Sequence, residues 1–431
     1  MRRGLLLVTV LGCLAALAPA PAGAHGFASS VRGQGAFAGE QSVLVVPITW
    51  GPQPQTVDEL RHVVFTETGA FMRASSFGRG WLAGDVTPWL VALPSRPQCD
   101  APALARIADT AAAAAGFDPA RYDRFVYVFP RIDCGWSGLG SGERAWINGT
   151  AHRKLVAHEL GHTYGLAHAN SWECAGGRCR SVEYGDPYST MGFGNGDFNV
   201  FEKAFLGWVT NVARPEDDGV FQLDRIELPA SAAQGLVVTT ARTEYWFELR
   251  LEQLRAPFGS WMLPTGVLVR VGPSTSAPLE TLVYHQPNLL LPDPLGAGRA
   301  PLFAGETFRQ RGAFELTVLS QVGDGAQVRF RWTDTTRPRP PRILEPAARV
   351  GRAGALFVTW DHAVETGSGV AYYEVRLDRR APVRVESGVP VSPGTTLRKP
   401  PPGRHTVSVV AVDRAGNRGS AATRRFVVRR R

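Results

Sequence analysis

The segment His158-Glu159-Leu160-Gly161-His162-Thr163-Tyr164-Gly165-Leu166-Ala167-His168 constrains this 431-residue chain more than any other. Side chains four apart on a helix share one face, so a helix here presents His158 and His162 to the same point in space. Glu159 lies one residue along, about 100° around the axis, near enough to orient a metal-bound water but poorly placed to be a ligand. Gly165 lets the backbone leave the helix at positive φ and return His168 as a third donor. Three neutral imidazoles leave a tetrahedral ion one open position, which a catalytic zinc requires and a structural zinc does not. In a chain with 9 His and 47 Gly, H-E-x-x-H alone arises by chance on the order of 10⁻² times. The added glycine and third histidine lower that to on the order of 10⁻⁵.

Around this segment, residues from about 42 to 208 alternate strand-like and helix-like runs, as in an α/β or α+β domain. Ser42 to Trp50 predicts a buried strand, Val57 to Thr68 a helix, Trp81 to Leu93 an extended run, Ala101 to Ala115 a helix and Arg124 to Phe129 a strand. After a Gly-rich stretch, Glu143 to Ile147 predicts a short exposed strand, which could pair with an extended substrate. A helix then runs from about Ala151 to Tyr164 and ends at Gly165. Asp197 to Trp208 predicts the last helix. Between about 209 and 334, short apolar runs recur between Gly and Pro turns, at Tyr245 to Leu251, Gly266 to Val271, Thr281 to His285 and Gln327 to Trp332. They predict an antiparallel sandwich or barrel. Arg337-Pro338-Arg339-Pro340-Pro341-Arg342 cannot continue a sheet and predicts a stiff, extended linker. Beyond it, strands at Leu356 to Trp360, Tyr372 to Leu377, His405 to Asp413 and Arg425 to Val428 fit one small Ig-like sandwich, with a turn at Asp413 to Asn417.

Arg2 and Arg3, the apolar run Leu5 to Ala18 and Ala22-Gly23-Ala24 form an export signal, with cleavage before His25. The run is too short to span a bilayer and no later one is longer, so the chain reads as secreted and not as an integral membrane protein. The competing reading takes Val10-Leu11-Gly12-Cys13 as a lipoprotein box acylated at Cys13. Export places Cys99, Cys134, Cys174 and Cys179 in an oxidising compartment, where two disulfides with three possible pairings are expected. Cys174 with Cys179, across a short Gly-containing loop, and Cys99 with Cys134 is the favoured set; a four-thiolate zinc site lacks its usual spacing. The expected organisation is 1–24 signal, 25–208 catalytic domain, 209–335 β-sandwich, 336–342 linker and 343–431 Ig-like module. Asn148-Gly149-Thr150 is a glycosylation sequon.

The net charge of +9 is unevenly spread: from Arg337 onward there are 19 basic and 7 acidic side chains, or +12, which leaves −3 for the rest. A basic end suits contact with an anionic cell-surface polymer, or is a solvated face. The basic-aromatic pattern of a nucleic-acid reader is missing, so no nucleic-acid partner is expected.

The extended pattern from His158 to His168 resembles the metzincin clan of zinc peptidases, which also share a methionine in a tight turn beneath the metal. Tyr188-Ser189-Thr190-Met191-Gly192 supplies such a turn. Within the clan the chain most resembles the gametolysin-like peptidases, through His158 to His168, Glu183-Tyr184-Gly185-Asp186 running into Ser189-Thr190-Met191-Gly192, and Leu206-Gly207-Trp208. Tyr245 to Arg250 resembles that family's β-rich segment, so the resemblance covers roughly residues 42 to 330. The last residues resemble fibronectin type III or bacterial Ig-like modules instead. The resemblance implies an α+β metzincin-like peptidase domain, then a β-rich sandwich domain and a small C-terminal Ig-like β-sandwich. It implies one catalytic Zn²⁺ on His158, His162 and His168, Glu159 as general base, Met191 as a structural Met-turn, and a protein or peptide substrate outside the cell or in its wall. Phe193 stands two residues after Met191, where some clan members carry a tyrosine that assists the oxyanion, leaving Tyr184 and Tyr188 as candidates for that task. The interval between Ala24 and the first strand is too short for a folded pro-domain and holds no cysteine to cap the zinc. Two other readings are a catalytically silent surface-binding protein that works through its basic C-terminal sandwich, and a zinc hydrolase acting on a non-peptide bond.

Overall fold

In the computed structural model, residues 37–429 are described, apart from 92–96, 176–177, 257–260, 274–287, 293, 295–298, 352–353 and 388–391. The expected signal, Cys13 and the run Thr281 to His285 lie outside the described residues. Strand β1 (Gly39–Thr49) is covered on both faces: Val43 and Val45 enter one core, Leu44, Val46 and Ile48 another. That double burial is why its sequence is a continuous apolar run and not an alternating one. Thr56 caps α1 (Val57–Arg61) in a reciprocal pair with Glu59. The helix continues through a π-helical stretch, His62–Thr68, into α2 (Gly69–Ser75), so it extends past the expected end at Thr68. Gly69 keeps a helical φ of −59° there and does not act as a stop.

Strands β2 (Gly80–Val86) and β3 (Leu90–Val91) both run parallel to β1. Helix α3 (Ala101–Ala114) packs its Leu104, Ala105 and Ala108 on the second core. Strand β4 (Arg124–Phe129), then β5 (Gly138–Ser141) and β6 (Arg144–Asn148), complete a sheet of order β2-β1-β4-β6-β5, parallel except for β5. The strand expected to be exposed at Glu143 to Ile147 is therefore interior: β6 sits between β4 and β5, with four of its five residues buried. The edge belongs to β5, whose alternating glycines carry no apolar pattern to announce a strand. Asn148, in the sequon, is buried, and its amide donates to the carbonyls of Ile132 and Trp136, both at 2.8 Å, which leaves no nitrogen for a glycan.

Helix α4 (Arg153–Thr163) crosses the first core and carries the histidine motif. The hairpin β7 (Asn170–Ala175) and β8 (Arg178–Val182) follows it. Helix α5 (Val200–Phe205) is shorter than the expected Asp197 to Trp208, because the Asn199 side chain caps it and Gly207, at φ +75°, ends it. The chain then turns to strands: β9 (Val212–Ala213), β10 (Gly219–Asp224), β11 (Gly235–Thr239), β12 (Thr243–Arg250), β13 (Gly266–Pro273), β14 (Leu289–Leu290), β15 (Thr307–Gln310), β16 (Phe314–Val322) and β17 (Gly325–Trp332). They form a seven-stranded sheet, β8-β7-β14-β13-β12-β11-β9, and a four-stranded sheet, β10-β17-β16-β15, which enclose a core of Phe247, Val269, Phe314 and Phe330. Strands on both sides of residue 209 thus share one sheet, joined where β14 lies parallel to β7.

From Ile343 on, three-stranded and five-stranded sheets share a core that includes Val358, Trp360, Tyr373, Val409 and Phe426. The preceding Pro/Arg stretch lies along this module: the Arg339 amide donates to the Val364 carbonyl at 3.0 Å and Arg342 pairs with Asp361 at 2.8 Å. Among the described residues no helix is long and apolar enough to cross a membrane. The chain is β-rich, with few helices and several sheets.

Candidate metal centre

Helix α4 stops where the sequence says it should. Gly165 takes φ +92°, its amide donates to the His162 carbonyl at 2.9 Å, and the Leu166 amide donates to the Gly161 carbonyl at 3.1 Å. This is the Schellman closure that a left-handed glycine permits. It turns the chain back over the helix, and the ligand atoms of His158, His162 and His168 come to lie within 4.8 Å of one another. The Nε2 atoms of His158 and His162 are 3.1 Å apart.

Each imidazole is oriented by its other nitrogen. His158 Nδ1 meets the Thr190 carbonyl at 2.9 Å, His162 Nδ1 the Leu166 carbonyl at 2.7 Å, and His168 Nδ1 a Glu183 carboxylate oxygen at 2.8 Å. All three partners are acceptors, so each Nδ1 carries the proton and each Nε2 keeps a free lone pair for an ion. Burial holds all three histidines below the usual imidazole range, His162 at about 4, which keeps them neutral near pH 7. The donor set fits a divalent ion of the zinc, copper or nickel kind.

Glu159 is buried, and desolvation raises its carboxyl to about 8; an adjacent cation would favour the carboxylate instead. It lies directly against β5. A β-carbon on Gly138 would overlap Glu159 Oε1 and stand 2.6 Å from Cδ and 2.7 Å from Cγ; one on Gly140 would overlap the Glu159 carbonyl oxygen and lie 2.6 Å from the His162 β-carbon. Two glycines at strand spacing therefore let the sheet edge meet the helix backbone. This contact has no signature in the sequence beyond that spacing.

Met191 is fully buried beneath α4, where a β-carbon on Gly161 would lie 2.5 Å from its sulfur. Its carbonyl accepts from the Ala169 amide at 2.9 Å, next to His168. Of the two tyrosine candidates, Tyr188 is buried away from the trio and its hydroxyl donates to the Pro264 carbonyl at 2.9 Å, which removes it from any oxyanion task. Tyr184, at φ +59°, places its ring centroid 3.9 Å from that of His168. Cys99 and Cys134 are joined by a disulfide that ties the start of α3 to the segment after β4. Cys179 is disulfide-bonded and faces Cys174 across the β7–β8 ladder, where the Cys174 side chain lies outside the described residues.

Three converging imidazoles beside a buried carboxylate define a candidate mononuclear metal centre. Residues 83–244, which contain the whole of it, match the family model of the gametolysin peptidases, M11, a similarity that supports a gametolysin-like peptidase. No curated protein matches the chain. Among solved structures, the fibronectin(III)-like modules of CbhA from Clostridium thermocellum share 15% identity over 21% of this chain and 95% of theirs, at a TM-score of 0.17. The spore cortex lytic enzyme SleM of Clostridium perfringens shares 10% over 26% of this chain and 38% of its own, also at 0.17. Catalytically inactive OgpA from Akkermansia muciniphila, solved with an O-glycopeptide, shares 9% over 93% and 96%, at 0.22. TM-scores of this size establish no common fold.

Proposed function

We propose that the chain is a secreted, zinc-dependent endopeptidase of metzincin-like α+β architecture, acting on extracellular or cell-wall proteins. The observation that carries this is the occupation of all three Nδ1 atoms by acceptors, which leaves three Nε2 lone pairs converging beside Glu159. His158, His162 and His168 would hold the zinc, which when bound supplies Lewis acidity and a water acidified towards about pH 7. The Glu159 carboxylate takes a proton from the attacking water as the water's oxygen bonds to the scissile carbonyl carbon, then delivers that proton to the amide nitrogen as the C–N bond breaks. Helix α4 and β5 enclose Glu159 and limit the water that can reach it. The outer side of β5 is a sheet edge with free backbone groups, suited to receive an extended peptide as an added strand. Removal of metal with a chelator should abolish hydrolysis of a denatured protein such as casein, and a stoichiometric return of zinc should restore it. Undiminished turnover in the metal-free protein would end this reading.

The division into a signal (1–24), a catalytic domain (25–208), a β-sandwich (209–335), a linker (336–342) and a fibronectin type III or Ig-like module (343–431) accompanies this proposal, with the catalytic and β-sandwich parts joined through the sheet that crosses residue 209. In the last of these, Arg349, Arg376, Arg404 and Arg425 stand on one exposed sheet face, linked by the register pairs Arg349 with Val427, Arg404 with Val427, Thr406 with Arg425 and Arg376 with Ser408. None of the four is in an ion pair among the described residues. Such a face suits an anionic surface polymer. The full chain should sediment with cross-linked polygalacturonate and be released as salt rises from about 0.05 M to about 0.5 M. Equal retention on neutral cross-linked dextran would remove the polymer from the account.

A further inference from the structure

We infer that the β-strands beyond the family match are a working part of the metal centre, with Arg270 as the positioning residue for the turn that holds His158. This inference rests on the metal reading above. Arg270 lies on β13, well past residue 244, and is fully buried. Its guanidinium bonds to Asp186 Oδ2 through Nη1 and to Glu248 Oε1 through Nη2 at 3.0 Å and Nε at 3.3 Å. Asp186 is also fully buried, and it opens the loop that ends in the Met191 turn. Its Oδ1 accepts from the Tyr188 amide at 2.8 Å, and its carbonyl accepts from the Gly194 amide at 3.2 Å, so one residue clasps both ends of that loop.

A second strand of the network reaches the same turn. Asn288, just before β14, donates to Glu202 Oε1 at 2.8 Å; Glu202 Oε2 accepts from Ser189 Oγ at 2.8 Å; and Ser189 Oγ accepts from the Met191 amide at 3.0 Å. Thr190, between Ser189 and Met191, offers the carbonyl that orients His158, and Met191 offers the one that holds Ala169 beside His168. Two of the three proposed ligands therefore take their position from a turn whose underside is fixed by Arg270 and Asn288. A buried guanidinium is costly unless every charge around it is paired, so this group tolerates few alternative geometries. Outer partners of this kind typically alter metal affinity by tenfold to a hundredfold when changed.

Arg250 provides the control. It is buried in the same network and its Nη2 also bonds to Glu248, but its remaining bonds go to the Phe198 and Asp197 carbonyls and the Glu252 carboxylate and to no residue of the turn. Zinc dissociation constants, measured on the full chain by competition with a chromophoric chelator, are compared for the wild type, Arg270→Lys and Arg250→Lys, with near-ultraviolet circular dichroism reporting the fold. The expected result is a rise of about tenfold to a hundredfold for Arg270→Lys and less than about threefold for Arg250→Lys. A folded Arg270→Lys protein with wild-type affinity, or equal losses in both variants, overturns the inference. Should Arg270→Lys not fold, Asp186→Asn carries the same expectation and decides, because it weakens the Arg270 bond while keeping an oxygen for the Tyr188 amide. A wild-type chain that binds no zinc overturns the metal reading itself, and the inference with it; a zinc-binding wild type with unaffected variants overturns the inference alone.

Discussion

Replacing Glu159 with Gln should leave the chain folded and metal-loaded while peptide hydrolysis falls by about 10²–10⁴-fold. The amide matches the carboxylate in size, so the close contact with Gly138 on β5 is kept. It cannot accept the water's proton, and among the described residues the ligating atoms that converge come from the three imidazoles alone. Glu183 is engaged at His168 Nδ1 and lies on the far side of that ring from the converging Nε2 atoms. The decisive comparison is kcat against bound zinc for both proteins. A variant with full zinc and near-normal kcat would remove Glu159 as the base, whereas loss of zinc together with activity would show that the carboxylate shapes the site and does more than move a proton.

The second large effect is expected from one methyl group. Gly138→Ala should lower kcat on the order of 10²-fold with zinc content unchanged, because displacing a catalytic group by about 1 Å can cost that much. The added carbon would stand 2.6 Å from Glu159 Cδ and 2.7 Å from Cγ, against ordinary contacts of at least 3.4 Å. Rotating the terminal carboxylate does not relieve an overlap at Cγ, so either the whole side chain moves or the strand does. The strand is restrained on one side by its ladder with β6, and along its length by Gly140, which rests against the backbone of Glu159. If β5 nonetheless yields outward, the substrate edge moves with it and KM rises. Steady-state kinetics separate the two responses, and kcat and KM both within threefold of wild type would show that β5 does not confine the base. Ser141→Ala, on the same strand but exposed, serves as the matched substitution.

The histidine motif was legible because its geometry is local. Spacings of four residues on a helix and a glycine free to adopt positive φ are settled within eleven residues, and the trio converges as expected. The buried strand at Ser42 to Trp50 and the Ala-rich α3 followed from the same kind of reading, whereas Cys99–Cys134, 35 residues apart, was the favoured one of three pairings. The exposed strand at Glu143 to Ile147 was misplaced for an equally physical reason. Its charged neighbours look like an edge, while the true edge, Gly138–Ser141, is built from residues too small to show a pattern.

By itself, then, the sequence determined three imidazoles, their helix, the reversal at Gly165 and the carboxylate beside them, all set by torsional preferences and helical period over a short stretch. Tertiary structure alone decided which groups orient those imidazoles and confine that carboxylate. Arg270 lies 84 residues from Asp186, Asn288 lies 86 from Glu202, and Thr190 lies 32 from His158. Pairings at such separations are chosen by the need of buried polar groups to find partners in a packed interior, and no local pattern encodes which partner is near.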